Sequence, residues 1–103
     1  MTGKVPFEKL DKAFENRLRL QIMSVLVVND RYDFNSLKEL LDTTDGNLAS
    51  HLKALEKEAY IMVHKSFLGR KPNTNYEATT AGKKAFRDHL DTLEKLIKQQ
   101  KAN

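Results

Sequence analysis

The apolar positions of the chain recur with two different periods, and the change of period divides it. Leu18, Ile22, Val25 and Leu26 follow three- and four-residue steps behind Asn16, a residue type suited to capping a helix start. Leu20, Met23 and Val27 widen that stripe, so this helix is expected to be covered on more than one side, with Asn29-Asp30 ending it. Ahead of it, Phe7, Leu10 and Phe14 at i, i+3 and i+7 predict a short amphipathic helix over residues 7–15. Tyr32-Asp33-Phe34 reads as an edge strand at most, and Asn35 is expected to start the next helix. Leu37, Leu40 and Leu41 mark that helix, Asp42-Thr43-Thr44 interrupts it, and Leu48, Leu52 and Leu55 draw one narrow apolar face on the helix that follows, with Thr44 as its N-cap. Past Glu58 the period becomes two: Ile61, Val63 and Lys65 fall on one side, Met62, His64 and Ser66 on the other. Residues 74–78 form a second expected strand, and Phe67 to Asn73 reads as a connecting loop too long for a tight hairpin. Thr79 then caps a final helix with a stripe of Phe86, Leu90, Leu93 and Ile97, fraying from Gln99.

This order predicts an α+β fold, a winged helix-turn-helix: an N-terminal helix, a helix pair over 35–58, a two-stranded wing over 60–78 and a long C-terminal helix over 79–100. Its expected core is Leu18, Ile22, Leu26, Leu37, Leu40, Leu48, Leu52, Leu55 and Ile61. With Leu48, Leu52 and Leu55 turned inward, the second helix of the pair presents Gly46, Asn47, Ser50, Lys53 and Ala54 outward. That small polar face suits a recognition helix. The terminal stripe is longer than one small domain needs to close its own core. Together with Phe7, Leu10 and Phe14 it predicts a homodimer interface of Phe86, Leu90, Leu93 and Ile97, the competing explanation being that Phe7, Leu10 and Phe14 cover part of that stripe within one chain.

Composition narrows the class. The 103 residues make one domain (1–103), and 40% hydrophobic with 31% charged residues suits a globular chain. No apolar run approaches the roughly 20 residues of a membrane span, Met1 to Pro6 lacks a signal-peptide core, and there is no cysteine. These point to a reduced, cytoplasmic protein with no membrane partner. The net charge of +4 is unevenly spread: residues 31–63 hold four Lys/Arg against six Asp/Glu, whereas 64–76 hold Lys65, Arg70 and Lys71 and no acid. The positive field is concentrated directly after the helix pair, which favours an anionic partner at the hairpin.

The residues themselves resemble a known family. Asn16 to Met23 is similar to the first core helix of bacterial and archaeal ArsR-like and MarR-like winged-helix regulators, and Phe34 to Leu41 to their second. Thr44 to Glu56 resembles their recognition helix, and Tyr60-Ile61 opens their wing. Gly69-Arg70-Lys71-Pro72, with Tyr76 and Thr79-Thr80-Ala81-Gly82-Lys83, is similar to the wing tip and last helix of a compact single-domain subgroup. The resemblance implies a homodimeric transcriptional regulator of double-stranded DNA. Asn47, Ser50, His51 and Lys53, with Thr44 and Gly46 at the helix start, would face the major groove. Arg70 and Lys71, flanked by Lys65 and Asn73, would reach the backbone or minor groove. Three departures matter. Ala59 stands where such families commonly have glycine, so a less left-handed turn into the wing is expected. Asp45 suits the helix dipole but would repel a phosphate. The metal-sensing cysteines of many ArsR repressors are absent.

Other chemistry finds little support. His51, His64 and His89 have no paired-histidine metal spacing, Asp88 and Asp91 sit among Lys84, Arg87 and Lys95 as ion-pair partners, and neither a phosphate loop nor a nucleophile–base pair can be assigned. The reading is a non-enzyme with no cofactor and no metal. A small-molecule effector, unidentified, would have to sit at the dimer interface or beneath the first helix. The rival from another class is a winged-helix protein–protein docking module without DNA binding, with which the net −2 of residues 31–63 is compatible.

Overall fold

The computed structural model describes residues 7–101; the reading of Met1–Pro6 and the last two residues of the expected frayed tail lie outside them. Two 3-10 turns, Phe7–Lys9 and Lys12–Phe14, stand where one amphipathic helix was expected. Asp11 divides them: its backbone is extended (φ −80°, ψ 122°) and its carboxylate accepts from the Ala13 N–H. A local side-chain bond of this kind competes with helical pairing. Asn16 then caps α1 (Arg17–Leu26) by accepting from the Arg19 N–H, as its position in the sequence predicts.

Helices α2 (Phe34–Leu41) and α3 (Asp45–Lys57) follow a short strand β1 (Tyr32–Asp33). The start of α2 is Phe34, not Asn35, because Asp33 serves as cap and accepts from the Ser36 N–H and hydroxyl. The wing is β2 (Ile61–Leu68) and β3 (Lys71–Ala78), and the antiparallel sheet runs β1-β3-β2. Tyr32 faces Tyr76 and Asp33 faces Asn75, so β1 is the expected edge strand.

The wing corrects the loop expected over 67–73. Strand pairing continues out to Leu68 opposite Lys71, leaving Gly69 and Arg70 as a two-residue turn. Gly69 has φ 65° and Arg70 has no positive φ, the pattern of a type II′ hairpin turn. Pro72 lies within β3, opposite Phe67, but β1 pairs with β3 only at Asn75 and Tyr76. One edge of β3 is therefore free at Pro72, where a residue without an N–H is tolerated.

The core gathers on α1, whose Ile22, Met23 and Leu26 are fully buried against Leu37, Leu48, Leu52, Leu55, Ile61, Tyr76, Ala78, Phe14 and Phe86. Leu18 packs at its margin. Leu40 does not join it and is 56% exposed. Helix α2 turns its Leu37/Leu41 line inward, and Leu40 lies about 100° round the helix from Leu41.

The last helix, α4 (Thr80–Lys101), stays helical from Gln99 to Lys101, the described part of the tail expected to fray. Thr79 anchors its start: its hydroxyl accepts from the Gly82 N–H and donates to the Ala59 carbonyl, while its N–H donates to the Tyr60 carbonyl. The approach is so close that a Cβ on Gly82 would stand 2.1 Å from the Tyr60 carbonyl oxygen. Below this point α4 buries Phe86, His89, Thr92 and Leu96. That line is rotated by roughly 80° from the stripe read in the sequence, because the side chains waiting for α4 are partly polar. The Asp11 N–H donates to His89 Nδ1 (3.0 Å), the Tyr60 hydroxyl donates to Asp11 (2.6 Å), and the Phe14 ring touches Tyr60, Phe86 and His89. With Asp11 accepting its proton, the Tyr60 hydroxyl is pushed up to about 12, burial adding to the effect. The radius of gyration, 16.0 Å, exceeds the roughly 13 Å of a compact chain this long; a 22-residue helix and a hairpin with strands of eight residues each make it elongated.

Candidate nucleic-acid interface

The turn between α2 and α3 is closed by two local devices. Asp42 takes a left-handed backbone (φ 48°) and ends α2, and the Thr44 hydroxyl accepts from the Asn47 N–H to start α3. The inward face of α3 is then fixed by Leu48, Leu52 and Leu55, at 0%, 2% and 0% exposure. The helical period leaves Gly46, Asn47, Ser50 and Lys53 exposed, with Thr44 exposed at the cap and His51 and Ala54 half-buried at the margins. The outward face is thus close to the one read from the sequence. Asp45, expected to repel a phosphate, is paired with Lys38 of α2 at 2.9 Å, which offsets its charge.

The exit of α3 differs from expectation. Ala59 adopts φ 63° although it is not glycine, so the turn into the wing is left-handed after all. The Tyr60 N–H donates to the Leu55 carbonyl and the Ala59 N–H to that of Glu56, the paired bonds of a Schellman motif. Those bonds, together with the Thr79 hydroxyl on the Ala59 carbonyl, hold an alanine where its Cβ costs about 1–2 kcal/mol.

The wing carries Lys65, Arg70 and Lys71, all exposed, and Asn73, half-buried. At its root His64 bonds Glu77 at 2.8 Å, with Arg31 3.8 Å from the same carboxylate oxygen, so His64 belongs to a polar group on the surface of the sheet. His51 lies on α3 and His89 on the buried face of α4. Among the described residues no group of three or more His, Asp or Glu is arranged to hold a metal ion. Asp88 is paired with Lys84, which holds its carboxyl below the usual range.

Two features of this surface escape a linear reading. Asn47 and His51 border a depression of about 570 Å³ whose far wall is Asn16, Arg17 and Gln21 of the α1 start and Thr43 of the turn. Asn16, Arg17 and Gln21 lie roughly thirty residues away in sequence, and only packing α1 across α3 brings them beside the recognition face. The expected dimer residues also divide. Phe14 and Phe86 are 3% and 8% exposed and belong to the chain's own core, whereas Leu90, Leu93, Ile97 and Phe7 remain exposed and Leu10 half-buried.

Comparison with known proteins agrees with this geometry. The family model of the winged helix DNA-binding domain matches residues 18–97. An uncharacterised protein of Methanocaldococcus jannaschii, MJ0432, is 34% identical over 87 residues, covering 84% of this chain and 95% of that protein. A transcriptional regulator homologue from Pyrococcus horikoshii OT3 superposes with TM-score 0.80 at 31% identity, covering 85% of this chain and 87% of that one. MepR of S. aureus, solved as a DNA complex, shares the fold at TM-score 0.72 and 20% identity, over 93% of this chain and 80% of its own. The helix pair, the basic hairpin and the long terminal helix thus have one common explanation: the chain belongs to the winged helix DNA-binding domain family.

Proposed function

We propose that the protein is a sequence-specific transcriptional regulator that binds double-stranded DNA as a homodimer. Helix α3 enters the major groove, with Asn47 and Ser50 reading base edges and Thr44, Gly46, His51 and Lys53 flanking them. Arg70 and Lys71 of the wing, with Lys65 and Asn73, bind the backbone or the minor groove. The observation that carries this reading is an exposed small polar face on α3, followed by a hairpin whose outer part, residues 64–76, carries Lys65, Arg70 and Lys71 and no acid. Short polar heads on a helix suit hydrogen bonding to base edges, while cations on a ribbon add affinity with little discrimination. The dimer is supported by Leu90, Leu93 and Ile97, which stay wet along α4 in the single chain. Burying such side chains is worth about 1.5–3 kcal/mol each.

The test separates the two elements. Arg70→Ala with Lys71→Ala should weaken binding to all sequences alike and lower the slope of log affinity against log salt by about one to two. Asn47→Ala should leave that slope nearly intact and narrow the gap between a selected operator and random DNA, by about 1–3 kcal/mol. The reverse pattern would mean the roles are exchanged. A protein that is not retained on DNA at low salt would instead be a docking module.

A further inference from the structure

The strand pairing of the wing brings two apolar side chains to its tip that the charge argument leaves unused. Phe67 and Leu68 directly precede the Gly69–Arg70 turn and are 70% and 67% exposed. Being consecutive in a strand, they lie on opposite faces of the ribbon, so the tip is apolar on both sides. A cross-strand pair of Phe67 with Pro72 would stabilise the hairpin modestly, but it leaves Phe67 mostly in water and does not involve Leu68. The charged residues of 64–76 are Lys65, Arg70 and Lys71, with no acid among them. An exposed apolar tip ringed by cations calls for a partner that is anionic outside and apolar within.

We infer that this tip enters the minor groove of B-DNA, Phe67 acting as a wedge that partly unstacks one base step while Leu68, on the other face of the ribbon, lies against the groove wall, so that the duplex bends, with Arg70 and Lys71 holding the flanking phosphates. This rests on the reading of the protein as a DNA binder. A minor groove about 6 Å wide excludes a ribbon whose strands alone are about 4.8 Å apart, so only the side chains of the tip can enter. The tip has the right ones. Apolar wedges between base steps kink DNA by about 20–90°, and pyrimidine–purine steps yield most easily. The wedge therefore adds a sequence preference at a position with no hydrogen-bonding side chain, beside the base readout by α3.

The experiment uses full-length protein and a site selected from random DNA. Circularly permuted fragments report the bend, and 2-aminopurine in the step beneath the wing reports unstacking by its brightening. Wild type should bend the DNA and brighten the probe. Phe67→Ser with Leu68→Ser, whose unchanged far-UV spectrum and melting temperature verify its fold, should keep the salt slope and bind within about tenfold of wild type, yet lose most of the bend and the brightening. Arg70→Ala with Lys71→Ala should bind more weakly while still bending whatever it holds. A wild type that binds but leaves the duplex straight overturns the wedge alone, as does a serine variant that bends DNA like wild type. Failure to bind DNA at low salt removes both the wedge and the reading beneath it. Flotation with phosphatidylglycerol vesicles that is lost in the serine variant, with bending unchanged, would assign the tip to a membrane surface and overturn the wedge.

Discussion

Helices α3 and α4 are both amphipathic, yet they use their apolar faces in opposite ways. Helix α3 is short, and each leucine of its stripe is buried by the chain itself. Helix α4 is 22 residues long and carries two adjacent lines, one closed and one open. Phe86, His89, Thr92 and Leu96 are buried, while Leu90, Leu93 and Ile97 are 44%, 42% and 55% exposed. The difference teaches that apolar periodicity locates a helix but does not say which partner covers it. In α3 the apolar face is structural and the polar face is left exposed. In α4 the apolar surface itself is left over, which is what a second protomer would cover.

The sharpest way to break this contrast is to truncate one leucine in each helix. Leu52→Ala should cost about 2–5 kcal/mol, read as a lower denaturant midpoint. Leu93→Ala should scarcely move the midpoint of a monomer at low concentration. Sedimentation of wild type beside a Leu90→Asp, Leu93→Asp variant should show a dimer reduced to a folded monomer. A wild type that stays monomeric at micromolar concentration would mean that the open line of α4 is not a dimer surface.

The closed line of α4 depends on its approach to Tyr60. Gly82→Ala places a methyl into the Tyr60 carbonyl, and relief requires backbone movement, so a loss at or above the usual 1–3 kcal/mol of overpacking is expected in thermal melts. Gly82→Ala melting like wild type would show that α4 is free to slide.

Tyr60→Phe probes the same junction more gently. It deletes one hydrogen bond to a carboxylate, worth about 1.5–3 kcal/mol. The sign of its pH dependence follows from the raised hydroxyl. The unfolded tyrosine ionises near its ordinary 10.0 and the folded one only at about 12. Below pH 10 the bond's contribution is fully present, and it is lost as the pH rises through that window. Absorbance of tyrosinate should show Tyr60 and Tyr76 both ionising late, Tyr76 because burial raises its hydroxyl, and Asp11→Asn should bring only Tyr60 forward.

The smallest expected effect lies at the end of α3. Ala59→Gly removes the Cβ penalty of a left-handed backbone but adds freedom to the unfolded chain, for a net gain of up to about 1 kcal/mol. A measurable loss would mean that the alanine methyl makes a contact worth more than the strain.

The sequence alone determined whatever depends on near neighbours along the chain. Asn16 and Thr44 cap the helices they precede, because a side-chain oxygen reaches an N–H three residues on without help from the rest of the fold. The inward leucines of α3, and hence its outward Asn47, Ser50 and Lys53, follow from the helical period. Tertiary structure decided what depends on groups meeting from afar. The two-residue wing turn needed Phe67 and Leu68 to pair with Pro72 and Lys71, overriding a Gly- and Pro-containing stretch that reads locally as a loop. Leu40 stayed outside because α2 meets the core along another line. His89 went in because the Asp11 N–H was there to donate to the imidazole and Phe14 to cover it. A polar side chain is buried where a distant partner satisfies it, and no periodicity along the chain encodes that partner's position.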